Sequence, residues 1–98
     1  MTTNIQSVHF DADQKLLDFV EEKVSKLSHY YENIVDCNVI LRIDKSANNE
    51  NKIAEVKLRV KGQDLFAKKQ CASFEEATDT AVAALKTQVK KHKEKVHS

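Results

Sequence analysis

The stretch Ala54-Glu55-Val56-Lys57-Leu58-Arg59-Val60-Lys61 has the clearest secondary-structure pattern in the sequence. Apolar and charged residues alternate along it without a break, and successive side chains of a β-strand point to opposite faces of a sheet. This strand therefore has one apolar face and one charged face. We expect the sheet that contains it to bury the apolar face and to leave the charged face open to water.

Strands with similar patterns are predicted on both sides of this stretch. The preceding strand turns four side chains to one face: Cys37, Val39, Leu41 and Ile43. After the central strand, Gly62-Gln63-Asp64 is predicted to turn the chain into a fourth strand from Leu65 to about Cys71. A short β-branched and aromatic stretch, Asn4–Phe10, is predicted to form the first strand.

Two amphipathic helices are predicted. Asp11 or Asp13 can cap the first, and Gln14 stands at capping-box distance from Asp11. Its apolar stripe recurs at helical spacing over about 18 residues: Leu16, Val20, Val24, Leu27 and Tyr31. The capping box Ser73-Phe74-Glu75-Glu76 opens the second helix. The stripe of that helix is Phe74, Thr78, Ala81, Leu85, Val89 and Val96.

The order of these elements is β-α-β-β-β-α, which indicates an α+β fold in a single domain over residues 1–98. Each helix has only one apolar stripe to bury, so both helices must cover the same face of the four-stranded sheet. The other face is predicted to stay open and to carry Arg42, Lys57, Arg59 and Lys68. The aromatic residues are expected mostly in the core: Phe19, Tyr30, Tyr31, Phe66 and Phe74.

Composition favours a globular cytoplasmic protein without a membrane span. Hydrophobic residues make up 41% of the 98 residues, and there is one glycine and no proline. No apolar run approaches the roughly 18–20 residues of a membrane span, and Met1–Gln6 lacks the pattern of a signal peptide. Cys37 and Cys71 are interpreted as small buried side chains in a reducing compartment. The four histidines are scattered, so no metal site or cofactor is expected.

Catalysis has little support in the sequence. A chain with one glycine has no glycine-rich phosphate loop, and no Ser-His-Asp or Cys-His signature is visible. The carboxylate pairs Glu21-Glu22 and Glu75-Glu76 are explained by a helix face and a helix start. We therefore expect no enzymatic activity and no small-molecule substrate.

The distribution of charge is more informative than the net charge of +1. The net charge is −4 over residues 1–36, +4 over residues 37–70 and +4 over residues 86–98. A chain with such segments can project a strong local positive field. The three segments predict an acidic first helix, a basic sheet and a basic end of the last helix.

Lysines lie on both sides of the apolar stripe of the last helix. On a helical wheel, Lys86, Lys90 and Lys93 fall within about 60° of one another. Lys95 borders the stripe on the other side, with Lys91 further round. A lysine-rich helix end can simply complement the helix dipole. Together with the basic sheet face, it favours a site for a polyanion, in which counterion release drives binding.

Folded RNA is the predicted ligand. The central strand lacks the aromatic positions on which an RNA-recognition motif stacks bases, so base stacking on the sheet is not expected. The predicted mode is recognition of the RNA backbone and of RNA shape.

Three stretches carry a resemblance to a known family: Asp18–Ile34, Val39–Lys45 and Gln88–Lys95, which contains Lys91-His92-Lys93-Glu94-Lys95. They resemble the ribosome hibernation-promoting factors, the family that includes the ribosome-associated inhibitor protein Y. The resemblance implies a fold similar to double-stranded-RNA-binding domains. It also implies binding to the small ribosomal subunit and its 16S rRNA, occupation of the decoding channel, and ribosome hibernation in stationary phase or stress.

The resemblance also implies which basic residues contact rRNA. Lys23 and Lys26 match basic positions of the family, as does Arg42 less closely, and three more lie at the end of the last helix: Lys91, Lys93 and Lys95. Ala84 and Thr87 depart from the family's usual Lys or Arg, for which Lys86 and Lys90 compensate one turn away. The chain resembles a short form, which would need a separate partner protein to pair two ribosomes.

Two other functions remain open at this point. One is a general module that binds structured RNA, which would bind arbitrary duplexes as tightly as ribosomes. The other is a non-enzymatic protein-interaction domain that regulates a transcription factor. Binding through such a domain would be insensitive to salt and nuclease, whereas phosphate contacts depend on salt.

Overall fold

A computed structural model describes residues 1–46 and 48–97, and the side chains of all of these except residues 95–97. In that part of the chain the elements are β1 (Thr2–Val8), α1 (Gln14–Ser25), α2 (Leu27–Tyr30), β2 (Ile34–Ile43), β3 (Lys52–Val60), β4 (Gln63–Cys71) and α3 (Phe74–His97). None of the described helices is long and apolar enough to cross a membrane.

The strands form one sheet in the order β1-β2-β3-β4. β1 runs parallel to β2, and the other neighbours are antiparallel. A parallel pair needs a crossover connection, which α1 and α2 provide. The predicted α+β architecture and the order β-α-β-β-β-α are confirmed, whereas the likeness to double-stranded-RNA-binding domains stays a prediction.

The core lies between one face of the sheet and the helices. Leu41, Val56 and Leu58 are fully buried on the sheet side, as the alternation in β2 and β3 predicted. The helices contribute most of their predicted stripes, including Val20 and Leu85. The side chain of Val96, predicted to extend the stripe of α3, lies outside the described residues.

The predicted first helix is divided in two, which corrects the expectation of one helix reaching Tyr31. It is interrupted at Lys26, between α1 and α2. The hydroxyl of Ser25 donates to the carbonyl of Glu22 at 2.8 Å, and that of Ser28 donates to the carbonyl of Ser25 at 2.7 Å. Serine hydroxyls that bond nearby carbonyls compete with the helical ladder, which favours a break.

The first strand ends at Val8, two residues before the predicted end. His9 adopts φ 63°, which ends the extended conformation. Phe10 then stacks on Phe74 with ring centroids 4.8 Å apart. Asp13, one of the two predicted caps, begins α1 by accepting a hydrogen bond from the backbone N–H of Leu16 at 2.8 Å.

The fourth strand begins at Gln63, so the predicted turn at residues 62–64 was placed too late. Val60 pairs with Gln63, which leaves only Lys61 and Gly62 to connect β3 and β4. The second residue of this loop, Gly62, adopts φ 92°, a conformation that glycine reaches without steric cost. The tight loop fixes the register that sets which side chains of β4 reach the open face.

Candidate nucleic-acid interface

The last helix sets the position of the predicted lysines. α3 packs across β3 and β4 and against α1 and α2. Its buried stripe includes Leu85 and Val89, so the lysines at neighbouring positions emerge along the two sides of the helix. Lys86, Lys90 and Lys93 are exposed on the side next to α2, and we call these three residues the lysine flank.

Tyr30, in the last turn of α2, organises the lysine flank. The Nζ atom of Lys86 lies 4.5 Å from the centroid of the Tyr30 ring, a cation–π contact. Lys93 donates a hydrogen bond from Nζ to the backbone carbonyl of Tyr30 at 3.4 Å. Lys90 lines the same shallow pocket. The three cations are thus gathered around one aromatic side chain.

The positive charge of the lysine flank is not neutralised by ion pairs with the described carboxylates. Among the described side chains, neither Lys86, Lys90 nor Lys93 forms an ion pair with an aspartate or a glutamate. The acidic residues Glu75 and Glu76 lie at the opposite end of the helix, in its first turn. Charge is therefore separated along α3, which matches the helix dipole and concentrates positive potential at the C-terminal half.

Lys91 lies on the other side of α3. It lines a shallow groove together with Gln63, Leu65 and Gln88 on the side next to β4. The structure therefore separates Lys91 from Lys93, although both belong to the basic stretch that carried the family resemblance. The side chain of Lys95, the third predicted contact of that stretch, lies outside the described residues.

Lys23 and Lys26, the two predicted RNA contacts of the first helical segment, have different surroundings. Lys23 of α1 forms an ion pair with Asp79 of α3, with its Nζ 3.3 Å from the carboxylate. Lys26 is exposed in the turn between α1 and α2. Lys26 therefore remains available to a ligand, while Lys23 also ties α1 to α3.

Three of the four predicted cations of the open sheet face are paired with carboxylates, and Lys68 has no such partner among the described side chains. The Nε atom of Arg42 lies 2.7 Å from Glu55, and the Nζ atom of Lys57 lies 3.3 Å from Asp64. Arg59 pairs with Asp36. The predicted positions on this face are correct, but the carboxylates offset most of the expected positive field. The lysine flank therefore presents the stronger positive surface, and the role of the three sheet cations as RNA contacts stays a prediction.

The family assignment follows from the comparison of the whole chain. A family model described as Sigma 54 modulation protein / S30EA ribosomal protein matches residues 3–97. The chain belongs to this family. Below we call it the S30EA family, and the predicted resemblance is confirmed.

Relatives within the S30EA family include proteins named ribosome hibernation promoting factor. One from Pseudomonas putida is 31% identical over 98 residues, which cover 100% of this chain and 92% of the relative. One from Azotobacter vinelandii is 34% identical over 95 residues, covering 97% and 85%. A longer relative from Bacillus subtilis, named ribosome hibernation promotion factor, is 30% identical, and the match covers 51% of it.

Solved structures confirm the fold of the S30EA domain. The N-terminal domain of protein Y from Thermus thermophilus matches 94% of this chain and 99% of its own length, with a TM-score of 0.80 at 24% identity. A ribosomal subunit interface protein from Coxiella burnetii matches 95% and 98%, with a TM-score of 0.84 at 20% identity.

Two aromatic residues of this S30EA chain were wrongly expected in the core. Tyr30 is 45% exposed and Phe66 is 50% exposed. Their sequence positions contain the signal that the prediction missed. Tyr31 stands four residues after Leu27 and takes the core position, so its neighbour Tyr30 must face outward. Leu65 and Ala67 point into the core, so Phe66 between them must face the open side of the sheet.

His92 is a further position that the predicted stripe left out. It lies three residues after Val89 and is buried, with its ring edge-on to Tyr31 at a centroid distance of 5.5 Å. Its Nε2 atom has no hydrogen-bond partner among the described residues. His92 therefore belongs to the core side of α3, between Lys91 and Lys93, and separates the two predicted contacts.

Proposed function

We propose that this chain binds the small ribosomal subunit through 16S rRNA and silences translation without catalysing a reaction. The lysine flank is the principal contact surface, and Lys26 in the turn after α1 and Lys91 on the other side of α3 are separate additional contacts. Bound in the decoding channel, the protein excludes tRNA and mRNA by occupying their space. It thereby promotes ribosome hibernation in stationary phase or stress, in the cytoplasm.

The observation that carries this proposal is the group of cations around Tyr30, none of which pairs with a carboxylate among the described side chains. Lys86 and Lys93 are two turns apart, which corresponds to about 10 Å along the helix axis. Cations held on a rigid helix can contact neighbouring phosphates with a smaller loss of backbone freedom than cations on a loop. Release of condensed counterions from the RNA then contributes most of the binding free energy.

Family membership supports the choice of the ribosome as partner. The relatives from Pseudomonas putida and Azotobacter vinelandii carry names that refer to ribosome hibernation, and they align with nearly the whole chain. Inhibition by occupation of space needs a stable shape and a charged surface. It requires no catalytic group in the chain.

Co-sedimentation with purified small subunits at about 100 mM salt tests the proposal. We expect the wild-type protein to sediment with the subunits. The triple variant Lys86→Glu, Lys90→Glu, Lys93→Glu should remain in the supernatant. A matched control reverses three exposed lysines away from the lysine flank, Lys15→Glu, Lys45→Glu and Lys61→Glu, with the same change in net charge. This control should still sediment.

The outcomes separate the proposal from its alternatives. If the wild-type protein stays in the supernatant, ribosome binding is wrong. Equal loss in both triple variants would show attraction to net charge alone, without a site. Competition by an arbitrary RNA duplex as effective as that by small subunits would indicate the general RNA-binding module instead. Inhibition of translation in vitro, relieved by the lysine-flank variant, tests the functional consequence.

A further inference from the structure

Phe66 lies exposed on the open sheet face, in the edge strand β4. The strand registers place it in one row with Lys57 of β3, Asn38 of β2 and Asn4 of β1. Half of its surface is accessible to solvent. A large aromatic ring on a flat face of this kind has no role in the core, which lies on the other side of the sheet.

The backbone at Phe66 is held from both sides. On one side, β4 pairs with β3, where Phe66 stands opposite Lys57. On the other side, Gln88 of α3 donates a hydrogen bond from Nε2 to the backbone carbonyl of Phe66 at 2.9 Å. Because the backbone is fixed from both sides, stacking of a ligand on Phe66 costs no ordering of the backbone and restricts only the two side-chain torsions of the ring.

The surroundings of Phe66 are charged. Lys68 follows two residues later on the same face and is exposed, and it forms no ion pair among the described residues. Lys57, opposite Phe66, pairs with Asp64 yet keeps half of its side chain exposed. A protein partner that docks through apolar contacts needs a contiguous apolar patch, and a single ring between charged residues does not form one.

We propose that Phe66 stacks an unpaired RNA base, with Lys68 and Lys57 contacting the adjacent phosphates. This departs from the expectation, drawn from the central strand alone, that bases do not stack on the sheet. An aromatic platform with flanking cations is the arrangement that binds single-stranded nucleic acid, because every base has a π-face and every nucleotide a phosphate. This site lies on the face opposite the helices and is separate from the lysine flank. It rests on the proposed function only for the identity of the RNA, which would then be an unpaired segment of rRNA.

A tryptophan reporter tests the stacking directly. The chain contains no tryptophan, so Phe66→Trp introduces a single fluorophore at the proposed platform. A short unpaired oligoribonucleotide should quench its fluorescence. An oligonucleotide of the same length with abasic positions carries the same phosphates and should bind about 5- to 100-fold more weakly, because base stacking contributes on this scale. Equal quenching and equal affinity with both probes would overturn the proposal.

Substitutions in the otherwise unaltered protein separate stacking from other effects. Phe66→Ala should weaken binding of the unpaired oligonucleotide by roughly tenfold, while Phe66→Tyr should retain it. Val35→Ala removes an apolar side chain that is 53% exposed and is the matched control, expected to bind as the wild type does. Equal loss for Phe66→Ala and Val35→Ala would contradict a stacking platform.

Small subunits distinguish this inference from the proposed function. If Phe66→Ala sediments with subunits as the wild type does while the lysine-flank variant does not, the platform does not operate on the ribosome and the proposed function stands. If the wild-type protein does not sediment with subunits, the proposed function fails. The fluorescence experiment then still decides whether Phe66 binds an unpaired base.

Discussion

The Nζ atom of Lys86 lies 4.5 Å from the centroid of the Tyr30 ring, which connects α3 to the last turn of α2. The carbonyl of the same tyrosine accepts the hydrogen bond from Lys93. One residue of the crossover thus positions two cations that are seven residues apart in α3. The shape of the lysine flank therefore depends on the ring and the backbone carbonyl of an uncharged residue.

Replacing Tyr30 should weaken RNA binding without unfolding the protein. Tyr30→Leu removes the cation–π contact, and we expect a two- to fivefold lower affinity for small subunits, since exposed contacts of this kind contribute about 0.5–1 kcal/mol. Tyr30→Phe keeps the ring and the carbonyl and should bind normally. Equilibrium binding of both variants measures this. A loss in Tyr30→Phe as large as in Tyr30→Leu would assign the effect to the hydroxyl group.

The salt dependence of binding should distinguish the lysine flank from the paired sheet cations. Lys90→Gln removes an unpaired cation, and the slope of log K against log salt should fall by about 1. The double variant Arg42→Gln, Glu55→Gln removes an ion pair without changing the net charge, so its slope should match that of the wild type. Binding titrations between about 50 and 200 mM salt measure both slopes. A reduced slope in the double variant would restore Arg42 as a phosphate contact.

The architecture was predictable because the hydrophobic patterns are regular. Alternation in Ala54–Lys61 fixed the orientation of β3, and the stripe through Leu85 and Val89 fixed that of α3. The interruption at Lys26 was not predictable in this way. It accompanies hydrogen bonds from two serine hydroxyls to backbone carbonyls, which apolar periodicity does not report.

The candidate site was predictable only in part. Wheel geometry correctly grouped Lys86, Lys90 and Lys93 on one side of the helix. The ion pairs of Arg42 and Arg59 depend on the cross-strand register, which brings Glu55 and Asp36 beside them on the same face. The sequence of one strand shows its cations, but it does not show which carboxylates of the neighbouring strand lie beside them.

Cys37 should be chemically inert in the folded protein. Burial, with a smaller contribution from the charge of Asp36, raises the pKa of its thiol from 9.0 to about 12. In native protein at pH 8, a thiol reagent should therefore modify only the partly buried Cys71, and Cys37 should react only after unfolding. Cys71→Ser should abolish the reaction of native protein. Rapid modification of that variant would contradict the burial of Cys37.

The Cys37 thiol should make the free energy of unfolding depend on pH in the alkaline range. Because the pKa of Cys37 is raised by folding, its contribution to stability is complete below about pH 9 and declines as the pH rises toward 12. Urea unfolding at several pH values, compared between the wild type and Cys37→Ala, isolates this contribution. The variant should lose less stability between pH 9 and 11 than the wild type does. If the wild type and Cys37→Ala lost the same stability over this pH range, the link between folding and the pKa of Cys37 would be contradicted.

His92 should be replaceable by an apolar side chain. Its Nε2 atom is buried without a partner among the described residues, and an unsatisfied group of this kind costs about 1–3 kcal/mol. His92→Leu loses the edge contact with Tyr31, which contributes about 0.5–1.5 kcal/mol. We therefore expect equal or slightly higher stability in thermal unfolding, and unchanged RNA binding. Destabilisation by more than about 1 kcal/mol would show that the imidazole makes a contact that leucine cannot replace.

The parallel pairing of β1 has a consequence for the order of folding. Partners in β1 and β2, such as Asn4 and Asn38, are 34 residues apart in the chain, whereas Lys61 and Gly62 alone separate β3 from β4. Closing the longer loop costs more entropy, so we expect the contacts of β1 to form later than the β3–β4 hairpin. As an edge strand docked last, β1 should also open first, and its amide protons should exchange with solvent before those of β3.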